Sequence, residues 1–168
     1  LKTRVEALLI EPLLSNVQLV EYALQDAGFR FDQGIWQRDS ITVRLEVACA
    51  GNATGRAQFP RLAPGEEVGA ALPIGTRDND QMFFGHFADE SKPTYDQVPV
   101  LTLDSIFEQE PLDALFIDAE GSDPAIIQGA YANVLPRLRL LEFEYHATGH
   151  WQDTSLASLV TQLDLDFG

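Results

Sequence analysis

The stretch Leu115-Phe116-Ile117-Asp118-Ala119-Glu120-Gly121-Ser122-Asp123-Pro124 constrains the fold of this chain more than any other. Three apolar residues run into two acids and a glycine, followed by residue types that open helices. Such a run reads as a buried strand that stops abruptly and turns into a helix. In open α/β sheets ligands bind outside the carboxyl ends of strands, so Asp118 and Glu120 fall where a site belongs. Extended residues two apart share a face, and both carboxylates reach one pocket if the strand persists to residue 120. The pair can hold a divalent cation or supply a general base; it serves equally well as structural charge near a helix amino terminus. Gly121 reads as a turn position, because one glycine makes no nest of amides for a phosphate.

The same strand-to-helix grammar recurs along the chain. Val5 to Ile10 reads as a strand ending at Glu11-Pro12, where the proline stops the ladder and leaves an acid at the tip. Ser15 or Asn16 is positioned to cap a helix whose apolar residues Val17, Val20, Ala23, Leu24 and Ala27 recur at helical spacing, with Gly28 as the stop. Residues 29 to 59 carry strand-like material, especially Ile41 to Ala48, followed by the turn Gly51 to Gly55 and a short run to Phe59. From Pro60 to Pro99 the periodicity is weak, which predicts short strands or a functional loop. Val100 to Leu103 then reads as a strand, with Asp104 as cap of a short helix through Phe107. Ser122 or Asp123 caps the helix after Ile117, whose inward stripe is Ile126, Ile127, Ala130 and Val134. Leu138 to Tyr145 is a further strand and Asp153 to Leu163 a further helix. This alternation predicts an α/β fold, a mostly parallel sheet with helices on both faces, in a single domain over residues 1–168.

Composition narrows the function classes. With 26 acids against 11 bases the formal charge is -15, which opposes unspecific grip on nucleic-acid phosphates or an anionic membrane surface. No apolar run reaches the ~20 residues that span a bilayer, and the first ten residues lack a signal-peptide design. The lone Cys49 forms no intrachain disulfide and sits between Ala48 and Ala50 as a small apolar filler, which allows a cytoplasmic setting.

Three further groups of side chains invite functional readings. Glu11, an acid at a strand tip, can accept hydrogen bonds from ribose hydroxyls or be a solvated loop acid. Glu142, Glu144 and His146 alternate with Phe143 and Tyr145, so one face of that strand is polar; adjacent parallel tips converge, which would set Glu142 or His146 beside Asp118. His150 is a weaker addition after the Gly149 turn. Asp78, Asp80, His86 and Asp89 offer ligand atoms, but their spacing matches neither an EF-hand loop nor a His-Glu-x-x-His zinc site, and no metal-ligand set is assigned. Met82, Phe83, Phe84 and Phe87 can line a substrate lid or anchor a loop.

The order of these segments is more specific than their physics. Val98 to Phe107, Asp113 to Ala130 and Leu140 to His146 together resemble the FkbM family of S-adenosylmethionine-dependent methyltransferases. Thr102-Leu103-Asp104 matches its Thr-Leu-Asp element, Ile117-Asp118-Ala119-Glu120-Gly121 its Lys-Ile-Asp-x-Glu-Gly element, with Phe116 in the place of the lysine, and Glu142 its strand glutamate. Ile10-Glu11-Pro12 resembles the family's Phe-Glu-Pro element, and Val47 to Phe59 the turn and strand that follow.

The resemblance implies a Rossmann-like class I methyltransferase fold and S-adenosyl-L-methionine as cofactor. It implies Glu11 on the cofactor ribose, and Ala48, Cys49, Gly51 and Asn52 near the adenine. It also implies Asp118 at the reacting end, and Glu142 or His146 as base for a small-molecule or glycan-like oxygen acceptor. A divalent cation, if used, would fall first to Asp118 with Glu142. The family pattern also has a strand, a glycine-rich cofactor loop and a helix ahead of the Glu11 strand, for which Leu1 to Arg4 leave no room. The reading is therefore of an N-terminally incomplete domain with weak turnover on its own. Two alternatives stay open: a non-catalytic ligand-binding or structural relative, and a metal-dependent hydrolase using Asp118, Glu120 and His146.

Overall fold

The computed structural model describes residues 4–60, 72–73, 95–108, 110–147 and 149–168. Strand β1 (Val5–Ile10) leads into α1 (Leu14–Asp26), and β2 (Arg30–Asp32), β3 (Ile35–Arg38) and β4 (Ile41–Glu46) follow as two consecutive hairpins. Next come β5 (Cys49–Ala50), β6 (Gly55–Pro60), β7 (Leu72–Pro73), β8 (Tyr95–Leu101) and the single-turn α2 (Leu103–Ile106). The chain closes with β9 (Ala114–Ile117), α3 (Asp123–Gln128), β10 (Leu140–Phe143) and α4 (Leu156–Phe167).

The α/β class holds, but the mostly parallel sheet does not. Among the described residues the strands form three hydrogen-bonded sheets, ordered β1-β4-β3-β2, β5-β8-β6-β7 and β10-β9. Pairs β1/β4, β5/β8 and β9/β10 are parallel, whereas β2/β3, β3/β4, β6/β7 and β6/β8 are antiparallel. Local turn chemistry explains the difference. Gln33 and Gly34 both take positive φ, +47° and +83°, between Asp32 and Ile35, which face each other across the ladder. That is the two-residue turn whose twist suits an antiparallel hairpin. Asp39, at φ +54°, helps make the next reversal.

Helix starts also depart from expectation. Helix α1 begins at Leu14, behind a Leu13 cap that has no side-chain bond, so Ser15 and Asn16 lie inside its first turn. Thr102, not Asp104, caps α2 by accepting a hydrogen bond from Ser105 N at 3.2 Å. The Asp104 carboxylate instead accepts from the backbone amides of Ala132 and Asn133, both at 2.8 Å, and Val134 at 3.0 Å. It thereby collects the donors of the turns beyond α3. Helix α4 starts later than expected, with Ser155 as its cap. The candidates between Asp78 and Asp89 lie outside the described residues.

One hydrophobic cluster joins α2, β9, α3 and the turns after it through Leu103, Phe107, Ile117, Ile126, Ile127, Ala130, Val134 and Leu135. Leu8 and Ile10 of β1, Leu141 and Phe143 of β10, and Leu159, Leu163 and Phe167 of α4 pack against it. Ile10 and Ile117, each just before a candidate acid, thus share one core. A smaller cluster of Leu13, Cys49, Phe59 and Val98 lies under the Glu11 side.

The end of α3 meets the turn after β5 backbone to backbone. A Cβ on Gly129 would intrude on the carbonyl oxygen of Gly51 and lie 2.9 Å from its carbonyl carbon. Gly51 N in turn donates to Leu101 O at 2.9 Å, and Asn52 Nδ2 to Gln128 Oε1 at 3.1 Å. Gly129→Ala is therefore expected to force the two segments apart at a cost of about 1–3 kcal/mol. A thermal melt should register it as a drop in Tm of several degrees.

Candidate active site

Strand β9 ends at Ile117, so the extended run does not reach residue 120. Glu120 takes φ +49° and Gly121 φ +93°. Two successive left-handed residues reverse the chain, and only the second is a glycine. Asp118 and Glu120 are consequently not strand neighbours on one face, as the sequence pattern suggested. A tight turn brings Glu120 back beside Asp118.

A residue for which the sequence offered only a capping role holds this turn. Asp123 is wholly buried, and α3 begins with it. Its Oδ2 accepts from Gly121 N at 3.2 Å and its Oδ1 from Glu144 N at 3.3 Å. One carboxylate thus bonds both the turn after β9 and the first residue beyond β10. Gly121 O accepts from His150 N at 2.9 Å, folding the later segment onto the same turn. Trp151, 4% exposed, anchors that segment: it stacks on Phe143 at 5.9 Å between ring centres and meets Tyr145 edge-on at 5.0 Å.

The register then determines which side chains meet. Phe143 pairs with Ile117 and Glu142 with Phe116, so Glu144 and Asp118 are the next residues on two parallel tips. Asp118, Glu144 and His146 each offer a ligand atom, and these atoms lie within 4.8 Å of one another. His146 Nε2 is 3.1 Å from Glu144 Oε2, yet the nitrogen is buried with no hydrogen-bond partner among the described residues. Burial pushes the Glu120 carboxyl above its ordinary value; His146 opposes the shift, and Asp118, Glu144 and Asp123 add to it. The turn therefore sits among three other acids and one imidazole. Glu142, exposed and one residue pair back along the ladder, is outside the three-residue group. Glu144 is the partner that the sequence named only as part of an alternating face. The β9/β10 register puts it level with Asp118, and isolated strands carry no signal for that register.

Glu11 stands at the tip of β1. Its Oε1 accepts from Leu13 N at 2.8 Å, and its own amide donates to Glu46 O at 3.0 Å, so β4 and the turn into α1 fix it. Ala48, Cys49 and Gly51 are buried and Asn52 is exposed. Burial pushes the Cys49 thiol up to about 12, and the neighbouring Glu11 charge contributes. That coupling puts Glu11 and the Ala48 to Asn52 segment side by side. A surface depression of about 440 Å³ runs along α4, lined by Ala157, Ser158, Thr161, Gln162, Leu165 and Asp166, and contains none of these candidates.

Parallel strand pairs that deliver acids at their carboxyl ends place those acids where open α/β domains bind ligands. The family model for the methyltransferase FkbM domain matches residues 3–166 of the 168, and the chain belongs to that family. Membership brings a class I methyltransferase-like α/β fold and S-adenosylmethionine-dependent methylation as the general activity. Searches of curated proteins and of solved structures return no significant match. No helix among the described residues is long and apolar enough to cross a membrane.

Two consequences of the site geometry are measurable. Asp123→Ala leaves the Gly121 and Glu144 amides without their acceptor, and urea unfolding should show a loss of roughly 3 kcal/mol, with a smaller loss for Asp123→Asn. The raised Cys49 value keeps the thiol neutral near pH 8, so iodoacetamide should modify it only after denaturation. An unfolded thiol ionises near its ordinary value of 9.0 while the folded one holds its proton to about 12. Stability attributable to this group is accordingly full below pH 9 and falls as the pH climbs through that window, which unfolding curves between pH 8 and 11 would reveal.

Proposed function

We propose that this domain transfers a methyl group from S-adenosyl-L-methionine to an oxygen of a small-molecule or glycan-like acceptor. Membership of the family supports the donor, and the convergence of Asp118 and His146 at neighbouring strand tips carries the assignment of an acceptor side. The nucleoside half of the donor fits the residues present. One Glu11 oxygen is fixed by a backbone amide, and the other has no partner among the described residues, which leaves it able to accept from a ribose hydroxyl. Beside it, the backbone of Ala48, Cys49 and Gly51 and the exposed side chain of Asn52 are available to the adenine.

The bound donor supplies an electrophilic methyl carbon on a sulfonium, so that a C–O bond forms as the C–S bond breaks. The chain's own task is to hold the acceptor oxygen in line and to receive its proton. Asp118 and His146 are the groups for that proton, with Glu142 further back on the same strand as a second acceptor-side base. Glu120, held by burial above its ordinary value, maintains the charge and shape of the turn. The 26 acids against 11 bases favour a neutral or cationic acceptor over a phosphorylated one. A cytoplasmic location, where a free thiol at Cys49 persists, is part of the same proposal.

Calorimetric titration of the full native chain with S-adenosylmethionine separates the two ends of the site. Glu11→Ala should weaken binding by at least about tenfold, in proportion to a lost charged hydrogen bond. Asp118→Asn should leave donor affinity within about twofold. It should lower the release of S-adenosylhomocysteine by roughly 10²–10⁴ in assays with simple alcohols, phenols and sugars. Equal rates for wild type and Asp118→Asn would remove Asp118 from the chemistry. Donor binding without product from any acceptor would favour the non-catalytic reading.

A further inference from the structure

We propose that Asp118, Glu144 and His146 form the binding site of one divalent cation of intermediate hardness, of which Mn²⁺ is representative. The ligand set has the right chemistry: two carboxylates suit magnesium and manganese, and an imidazole shifts preference toward the transition metals. It also has nearly the right dimensions. A cation that holds ligands at ~2.1 Å keeps them no more than ~4.2 Å apart, and the three atoms here already lie within 4.8 Å of one another. Asp118 and Glu144 are exposed, so rotation of their side chains closes the remainder without moving the backbone.

The imidazole supplies a second observation. His146 Nε2 is buried and 3.1 Å from Glu144 Oε2, but is not aligned for a hydrogen bond with it or with any other described group. With the imidazole protonated this contact is an ion pair; with it neutral and its proton on Nδ1, the Nε2 lone pair faces the carboxylate and is available to a cation. Asp118, Glu120, Asp123 and Glu144 gather at the turn after β9 and the tip of β10. A bound cation offsets the negative charge gathered there.

Backbone connections make the site preorganised rather than incidental. The β9/β10 register sets Asp118 and Glu144 level, and the buried Asp123 carboxylate ties the turn after Asp118 to Glu144 N. Three protein ligands leave positions open for water or an oxygen donor. That the open positions take the methyl acceptor rests on the proposed function, with Glu142 then the base left for the proton; cation binding itself does not.

Electron paramagnetic resonance of Mn²⁺ titrated into the full chain at physiological salt tests the proposal. One Mn²⁺ per chain should leave the free-ion signal, and pulsed measurements on the bound ion should show nitrogen coupling from an imidazole. Glu144→Gln and His146→Ala should each weaken binding at least about tenfold. Asp113→Asn, an exposed acid just ahead of β9, should change it less than twofold. No stoichiometric binding, bound Mn²⁺ without nitrogen coupling, or equal affinity in all three variants would overturn the site. The nitrogen coupling is read on the wild-type chain and so stands even if His146→Ala fails to fold. On the same samples, absent methyl-donor binding alongside intact Mn²⁺ binding would fail the proposed function and leave this site standing.

Discussion

The buried carboxylate of Asp123 is the interaction on which the functional end of this domain depends. It accepts from Gly121 N and Glu144 N, so a single side chain couples the turn after β9 to the end of β10. A buried charge is tolerated only where hydrogen bonds replace lost hydration. Here the donors are two main-chain amides from separate segments, and the satisfaction of the charge and the assembly of the site are the same event. The left-handed Glu120 fits the same account: a conformation costly for a non-glycine residue persists because its neighbours fix it from both sides.

Around that bond the packing divides into two bodies of apolar contact. The larger cluster gathers β9, α2 and α3 and receives Leu8 and Ile10 from β1. The smaller sits beneath Glu11 and includes Cys49. Backbone contact between Gly51 and Gly129 joins the loop beside Glu11 to the helix that follows the acid turn. The two halves of the site are thus connected through close-packed main chain rather than through a shared side chain, which leaves little freedom for them to shift independently.

Much of this was legible in the residues. Val5 to Ile10 is a strand with the bounds that its apolar run and the following proline imply, and Gly28, at φ +83°, ends α1 as its position suggests. The hairpins were not legible as such, because Gln33-Gly34 carries a turn signal that a reading for βαβ units passes over. The caps misled for a different reason. Ser122 does stand at the cap position of α3, though without a side-chain bond, whereas the carboxylates of Asp104 and Asp123 are taken by amides distant in sequence or across a turn, a choice that tertiary packing makes and local pattern does not. Asp118 and His146 converge as the alternation implied. The substitution of Glu144 for Glu142 beside them follows from strand register, which a sequence of isolated strands does not specify.

The parallel pairing of β9 with β10 also governs when in folding the site can exist. Helix α3 and the turns behind it lie wholly between Asp118 and Glu144, so no local hairpin can bring these acids together. The intervening chain must close as a loop and dock its helix before the ladder forms, an ordering entropy that falls on the chain before any contact at the tips repays it. Until then the acids repel one another in solvent. The acid-rich corner of the domain is therefore among the last parts to acquire its shape, and a nascent chain released before β10 emerges carries the acid-glycine motif without its partners.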